Sequence, residues 1–164
     1  MDHTHGPNCG CKDYQDVENA NDLIGSIDLD KVRCLNEGHN KTGNGLFREQ
    51  DRRFEKEYSV VSDCDGELLL IVPFLTQVKI RSICVIAQNG DSSPHSLRLY
   101  INNENVDFSL AEGPCIQEFP LIPNLEGLLH NAVNPHKFSR VHKLIIHLKG
   151  NVEEIGVSYI QIKG

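Results

Sequence analysis

From Glu67 onward the chain repeats one pattern: a strand-length apolar run, then a turn. The runs cover residues 67–72, 78–87, 97–101, 115–121, 128–133, 141–148 and 156–163. Between them stand Pro73, Asn89-Gly90, Pro94, Asn102-Asn103, Gly113-Pro114, Pro123-Asn124, Asn134-Pro135 and Gly150-Asn151, residues that preset or tolerate turn backbones. In "VHKLIIHLKG", Leu144, Ile146 and Leu148 share one face, while Lys143, Ile145 and His147 share the other. In "SLRLYI", Leu97 and Leu99 oppose Arg98. Period-2 alternation of this kind belongs to antiparallel strands with one wetter face. A helical period is not sustained anywhere. Seven or eight short strands at this spacing predict an all-β chain, a β-sandwich of jelly-roll type.

The 164 residues suit one domain, which at this size buries roughly 70% of its unfolded surface without help from a disulfide or metal. Two segments precede the strands. Residues 1–22 are polar, rich in His and Asn, and poor in aliphatics, so a flexible tail is expected there, with the domain over 23–164. Within the domain's first stretch, Ile27, Leu29, Val32 and Leu35 fit either a helical turn or an extended strand. Residues 38–58 read as a long surface loop with Leu46 and Phe47 as anchors.

Formal net charge is −7, and the acid is spread along the chain, which argues against nucleic acid or an anionic membrane as partner. The chain has no run of eighteen apolar residues and no signal-peptide pattern, so a cytosolic or nuclear address is the expectation. Cys9, Cys11, Cys34, Cys64, Cys84 and Cys115 lack the spacing of a disulfide framework or a Cys-x-x-Cys site. Cys84, inside an apolar run, reads as a small core residue.

Several groups of residues invite a chemical reading. His3, His5, Cys9 and Cys11 are donors suited to Zn²⁺, at a spacing unlike that of structural zinc sites. A free amine at Met1 with His3 could chelate Cu(II) or Ni(II), as the sequence Met1-Asp2-His3 allows. His130, His136, His142 and His147 read as scattered surface histidines, and His142 and His147, five apart on one strand, face opposite ways. Asp63 and Asp65 could serve acid–base chemistry or Ca²⁺, but Ser62-Asp63-x-Asp65-Gly66 fits better a turn bonded to backbone amides. The charge run "REQDRRFEKEY" (residues 48–58) reads as a solvated loop rather than a docking patch. No Gly-x-Ser-x-Gly and no phosphate-binding loop is present. No catalytic, cofactor or metal residue is therefore assigned, and no cofactor is expected. The chain has no Trp, which weakens a sugar-binding reading.

The segment "SDCDGELLLIVPFLTQVKIRSICVIA" resembles the signature of the PITH domain family, the proteasome-interacting module of thioredoxin-like proteins. Ser62, Asp63, Asp65, Leu68 and Leu69 match its acidic opening, Val72-Pro73-Phe74 stands for Ile-Pro-Phe, and Val78-Lys79-Ile80 matches its third part. "IDLDKVRCLNE", the acidic turn, proline and strand over residues 91–102, "KFSRVHKLIIHL" and "SYIQIKG" resemble further blocks of the family in the same order, over residues 23–164. The resemblance implies a jelly-roll sandwich similar to galactose-binding-like folds. It also implies a binding module without catalytic residues, whose partner in thioredoxin-linked members is the regulatory particle of the 26S proteasome. Stand-alone members begin with a tail holding His, Gly and Cys, as here. This chain carries no thioredoxin domain, so the redox activity of fused relatives does not carry over. It stops at Gly164, where relatives continue with an extension. Two alternatives stay open: a jelly roll binding carbohydrate or a small ligand, and a metal-handling protein working through the N-terminal His and Cys residues.

Overall fold

The computed structural model describes residues 20–38 and 43–164. Nine strands occur among them: β1 (Arg33–Leu35), β2 (Val60–Val61), β3 (Glu67–Val78), β4 (Ser82–Ala87), β5 (Ser96–Ile101), β6 (Gln117–Pro120), β7 (Asn131–Ala132), β8 (Val141–Lys149) and β9 (Gly156–Lys163). One short α-helix, α1 (Phe108–Ala111), lies between β5 and β6. The strands form a five-stranded sheet, β1-β3-β8-β5-β6, and a four-stranded sheet, β2-β9-β4-β7. Every pairing is antiparallel. The expected all-β sandwich is the architecture found.

The alternation that suggests strands also fills the space between the sheets. Leu68, Leu70 and Val72 of β3, Leu97 and Leu99 of β5, and Leu144, Ile146 and Leu148 of β8 are fully buried in one cluster. Ile83 and Val85 of β4 and Val157, Ile160 and Ile162 of β9 meet them from the other sheet. Each such side chain contributes about 1.5–3 kcal/mol by leaving water. On β9 the inward residues are not evenly spaced. A register shift opposite Ile86 and Ala87 inserts one extra residue, so Val157 and Ile160 both face inward while Tyr159 faces out.

Several boundaries differ from the sequence reading. The strand expected to stop at Val72 runs through Pro73 to Val78. Pro73 stands beyond the last β1 pair, at Ile71, so its missing N–H costs no bond to that neighbour. The ladder to β8 shifts register between Pro73 and Val78. Residues 79–81, expected in the next strand, instead carry the chain from one sheet to the other. Residues 115–121 and 128–133 shrink to β6 and β7. The segment containing Ile27, Leu29 and Val32 takes both forms offered: a 3-10 turn at Leu29–Lys31 leads into β1. Leu46 and Phe47 are buried anchors, as expected. Asn21 and Asp22, which the sequence reading places in the tail, are tied to the C-terminal end of β9. Asn21 and Gly164 exchange both backbone bonds, and Asp22 bridges Lys163.

Candidate interaction surface

The outer face of the five-stranded sheet is divided in two. Leu69, Tyr100 and Ile145 form a buried apolar patch on it. The chain between β5 and β6 folds back over that patch, bringing Val106, Phe108, Leu110 and Cys115 into contact. Asp107 starts α1, its carboxylate accepting from the Ser109 amide at 2.9 Å. Arg98, reaching outward from β5, fastens the far end by donating to the carbonyls of Ala111 and Gly113. The rest of the face stays open as a groove of about 700 Å³, with His147, Arg98 and Ser96 among the strand residues lining it and Glu67, Asp65 and Glu118 along its sides.

The groove is held together by contacts distant in sequence. His147 Nε2 lies 3.2 Å from Glu67 Oε1, and the residue is only 4% exposed. Donation from Nε2–H leaves Nδ1 as an acceptor, and Nδ1 is buried without a partner among the described residues. The Phe108 ring stands edge-on to the imidazole, centroids 6.4 Å apart. Burial pushes the His147 pKa below its usual value against the opposing pull of Glu67, so the imidazole is neutral near pH 7. At one end of the groove Asn36, in a left-handed conformation at φ 69°, clamps the acidic turn. Its amide donates to Asp65 Oδ1 and to the Glu67 carbonyl, each at 2.8 Å, and its Oδ1 accepts from the Cys64 amide at 3.2 Å. Beyond that turn a second groove of about 570 Å³ continues past Gly150 to Val152 and Glu153, sharing Asp65, Glu67 and Lys149 with the first.

The opposite side of the molecule carries a different surface. The loop over residues 121–129 leaves β6 and lies against the outer face of the four-stranded sheet. Asn124 pins it, donating to the Val85 carbonyl at 3.2 Å and exchanging two bonds with Leu129. The Cys84 thiol donates to the Gly127 carbonyl. Held this way, the loop presents Ile122, Leu125, Leu128 and Leu129 to solvent, with Leu128 74% exposed. Four large aliphatic side chains within eight residues make an apolar ledge on a mostly polar surface.

The residues singled out in the sequence fall as follows. Met1, Asp2, His3, His5, Cys9 and Cys11 lie outside the described residues. His130, His136, His142 and His147 do not come together. His136 and His142 are exposed, as expected, but the opposite facing expected of His142 and His147 is not kept: Val141 enters the core as Leu144 does, and the amides of His142 and Lys143 both donate to Asn102 Oδ1, so strict alternation breaks there. His147 corrects the surface reading: it is buried because its strand position falls under Phe108. Among the described residues no group of three or more His, Cys, Asp or Glu is placed to hold a metal ion. Asp63 and Asp65 sit in a turn, as expected, although much of its bonding comes from Asn36. Ser62 Oγ does accept a backbone amide, that of Ile155 at 2.9 Å. Cys84 is buried as expected. The run over residues 48–58 is a solvated loop except at Arg48. That residue is 7% exposed, and its guanidinium lies between the rings of Tyr58 and Tyr159 and bonds to three loop carbonyls and that of Ser158.

The groove and the ledge escaped the sequence reading. Strand register assembles the groove from residues distant in sequence, Glu67 and His147 being 80 positions apart. The ledge had a signal: in "LIPNLEGLL" the apolar residues follow no strand period and are interrupted by Pro123, Asn124 and Gly127.

A two-sheet antiparallel sandwich of this kind is a fold of the galactose-binding-like, jelly-roll class. The structural neighbours agree. The family 32 CBM from C. perfringens NanJ, solved in complex with galactose, superposes with a TM-score of 0.62 at 10% identity, covering 88% of this chain and 99% of that one. The F-lectin from striped bass serum superposes at 0.61 with 13% identity, over 89% of this chain and 49% of the other. In sequence, residues 13–164 match the PITH domain. PITH domain-containing protein 1 of Homo sapiens is 33% identical over 99% of this chain and 81% of its own length. A Drosophila melanogaster PITH domain-containing protein is 32% identical over 99% and 80%. The chain belongs to the PITH domain family, a family of protein-interaction modules.

Proposed function

We propose that this chain is a non-catalytic adaptor of the cytosol or nucleus that associates with the regulatory particle of the 26S proteasome. The observation that carries the reading is the apolar ledge of Ile122, Leu125, Leu128 and Leu129, large aliphatic side chains held out in water by a loop that Asn124 makes rigid. A folded chain gains nothing from such exposure. A partner that covers it does, at about 25 cal/mol per Å² of apolar surface. Membership of the PITH family supports a protein as that partner, and the resemblance of the signature blocks to proteasome-interacting relatives supports the regulatory particle. A sugar reading has less support. The neighbours' galactose complex speaks for the fold, and the aromatic side chain lining the groove, Phe108, is engaged edge-on with His147.

The test is co-sedimentation of the purified chain with intact 26S proteasomes at low and physiological salt, with wild type and the Leu128→Asp variant. Binding that resists salt and is lost in the variant, with unfolding midpoint unchanged, is the expected result. Absence of wild-type binding, or equal binding by the variant, would remove the ledge from this role.

A further inference from the structure

We propose that the trough across the outer face of the five-stranded sheet is a docking channel for an extended, Lys- or Arg-bearing segment of a partner protein. The inference rests on the reading of the chain as a protein-binding module and does not depend on which assembly it joins.

The shape of the trough suits an extended chain. Two grooves of about 700 and 570 Å³ meet at Asp65, Glu67 and Lys149, so the cleft is long rather than a closed pocket for a small molecule. Its charge suits a cation. Glu112 and Glu118 line one end, Asp65 and Glu67 the middle and Glu153 the other end. Among the described residues Arg98 and Lys149 are the cations lining it against these five carboxylates, and Arg98 is taken up by the carbonyls of Ala111 and Gly113 and by Glu118, 4.0 Å from its Nε. The lining therefore keeps an excess of carboxylate. Depth strengthens the attraction. The Glu67 side chain is 23% exposed, and a partly dehydrated carboxylate attracts a cation more strongly than one free in water.

The floor of the trough adds a further feature. His147 is buried beside Glu67, is neutral near pH 7 and so does not cancel that charge, and leaves Nδ1 an acceptor without a partner among the described residues. That atom is buried in a side chain that lines the trough, and an unsatisfied acceptor beneath a row of carboxylates is an arrangement that a cation rich in N–H donors completes. The whole chain carries a net charge of −7, so the test must separate this site from net charge.

The probe is a fluorescein-labelled nona-arginine peptide, titrated with the full chain at about 150 mM salt, where exposed charges are screened beyond about 8 Å, and followed by anisotropy. Glu67→Gln with Glu118→Gln removes two trough charges. Asp30→Asn with Asp91→Asn removes two exposed charges outside it. The expected result is saturable binding weakened tenfold or more by the first pair and twofold or less by the second. Lys149→Glu adds a carboxylate at the junction of the grooves and is expected to tighten binding severalfold, which loss of fold could not mimic. Equal weakening by the two pairs, or no gain from Lys149→Glu, would reduce the attraction to net charge and overturn the proposal, as would absence of saturable binding. No proteasome is present, so these outcomes are independent of the ledge experiment.

Discussion

Replacing Arg48 with Ala tests whether a buried cation holds the long loop to the sandwich. The guanidinium donates to the carbonyls of Gly45 at 2.5 Å, Glu55 at 3.0 Å and Ser158 at 2.9 Å, and Nε donates to that of Arg52 at 3.3 Å. Its carbon lies 5.0 Å from the Tyr58 centroid and 5.3 Å from that of Tyr159. Three of these carbonyls belong to the loop and one to β9, so a single side chain joins the two. Truncation strands the buried Ser158 carbonyl, at about 1–3 kcal/mol, and removes two cation–π contacts of about 0.5–2 kcal/mol each. Against this, the guanidinium no longer has to be dehydrated, a cost whose sign shows in its lowered pKa. The balance is a loss of about 3 kcal/mol, or an unfolding midpoint lower by roughly 6–12 °C for a chain of this size. Arg48→Lys recovers little of it, because an ammonium cannot present the planar fork or stack between two rings. Urea and thermal unfolding read the effect, with Arg52→Ala as control, since Arg52 pairs with Glu55 at the surface. If Arg48→Ala unfolds within about 1 kcal/mol of wild type, or no earlier than the control, the loop is held by Leu46 and Phe47 alone and the reasoning fails.

Two further substitutions follow from the same geometry. A Cβ on Gly66 would stand 1.9 Å from the Val152 carbonyl oxygen, so Gly66→Ala should cost about 3 kcal/mol or more, whereas Gly90→Ala, with nothing within 4 Å, should leave the urea midpoint unchanged. His147 gives a pH dependence. Its folded pKa lies below the ordinary value of about 6.5, so the unfolded chain binds the proton more readily. Stability from this group is complete above about pH 6.5 and declines as pH falls toward the folded pKa. His130, also lowered by burial, acts in the same direction. His147→Asn should flatten the slope of unfolding free energy as pH falls below about 6.5, and an unchanged slope would mean that the imidazole is not buried neutral.

Much of the sandwich was legible in the sequence because burial leaves a record in the side chains that are buried. Leu144, Ile146 and Leu148 alternate since each must enter the same core, and the turns carry Asn, Gly and Pro since those backbones favour them. What was illegible has a physical reason in each case. β1 and β2, of three and two residues, are too short to show a period. Pro73 misled because a proline breaks a strand only where a neighbour needs its N–H. Arg48 looked like one charge among many, because nothing in "REQDRRFEKEY" marks which guanidinium will turn inward.

The two surfaces were hidden for different reasons, and the difference bears on how they act. The trough depends on register: Glu67 meets His147, and Arg98 meets Glu118, only because β3, β8, β5 and β6 pair side by side. Slipping one pairing by one residue would send those side chains inward and the leucines out, so the trough is as stable as the core beneath it. The ledge depends on local bonds, chiefly those of Asn124 to Leu129 and Val85. The trough lies on the outside of the five-stranded sheet, whereas the ledge lies against Cys84 and Ile86 on the outside of the other. The packed core separates them, stacked sheets standing about 10 Å apart. If the ledge and the trough each take the partner proposed for it, the sandwich holds one protein on each face with the packed core between them.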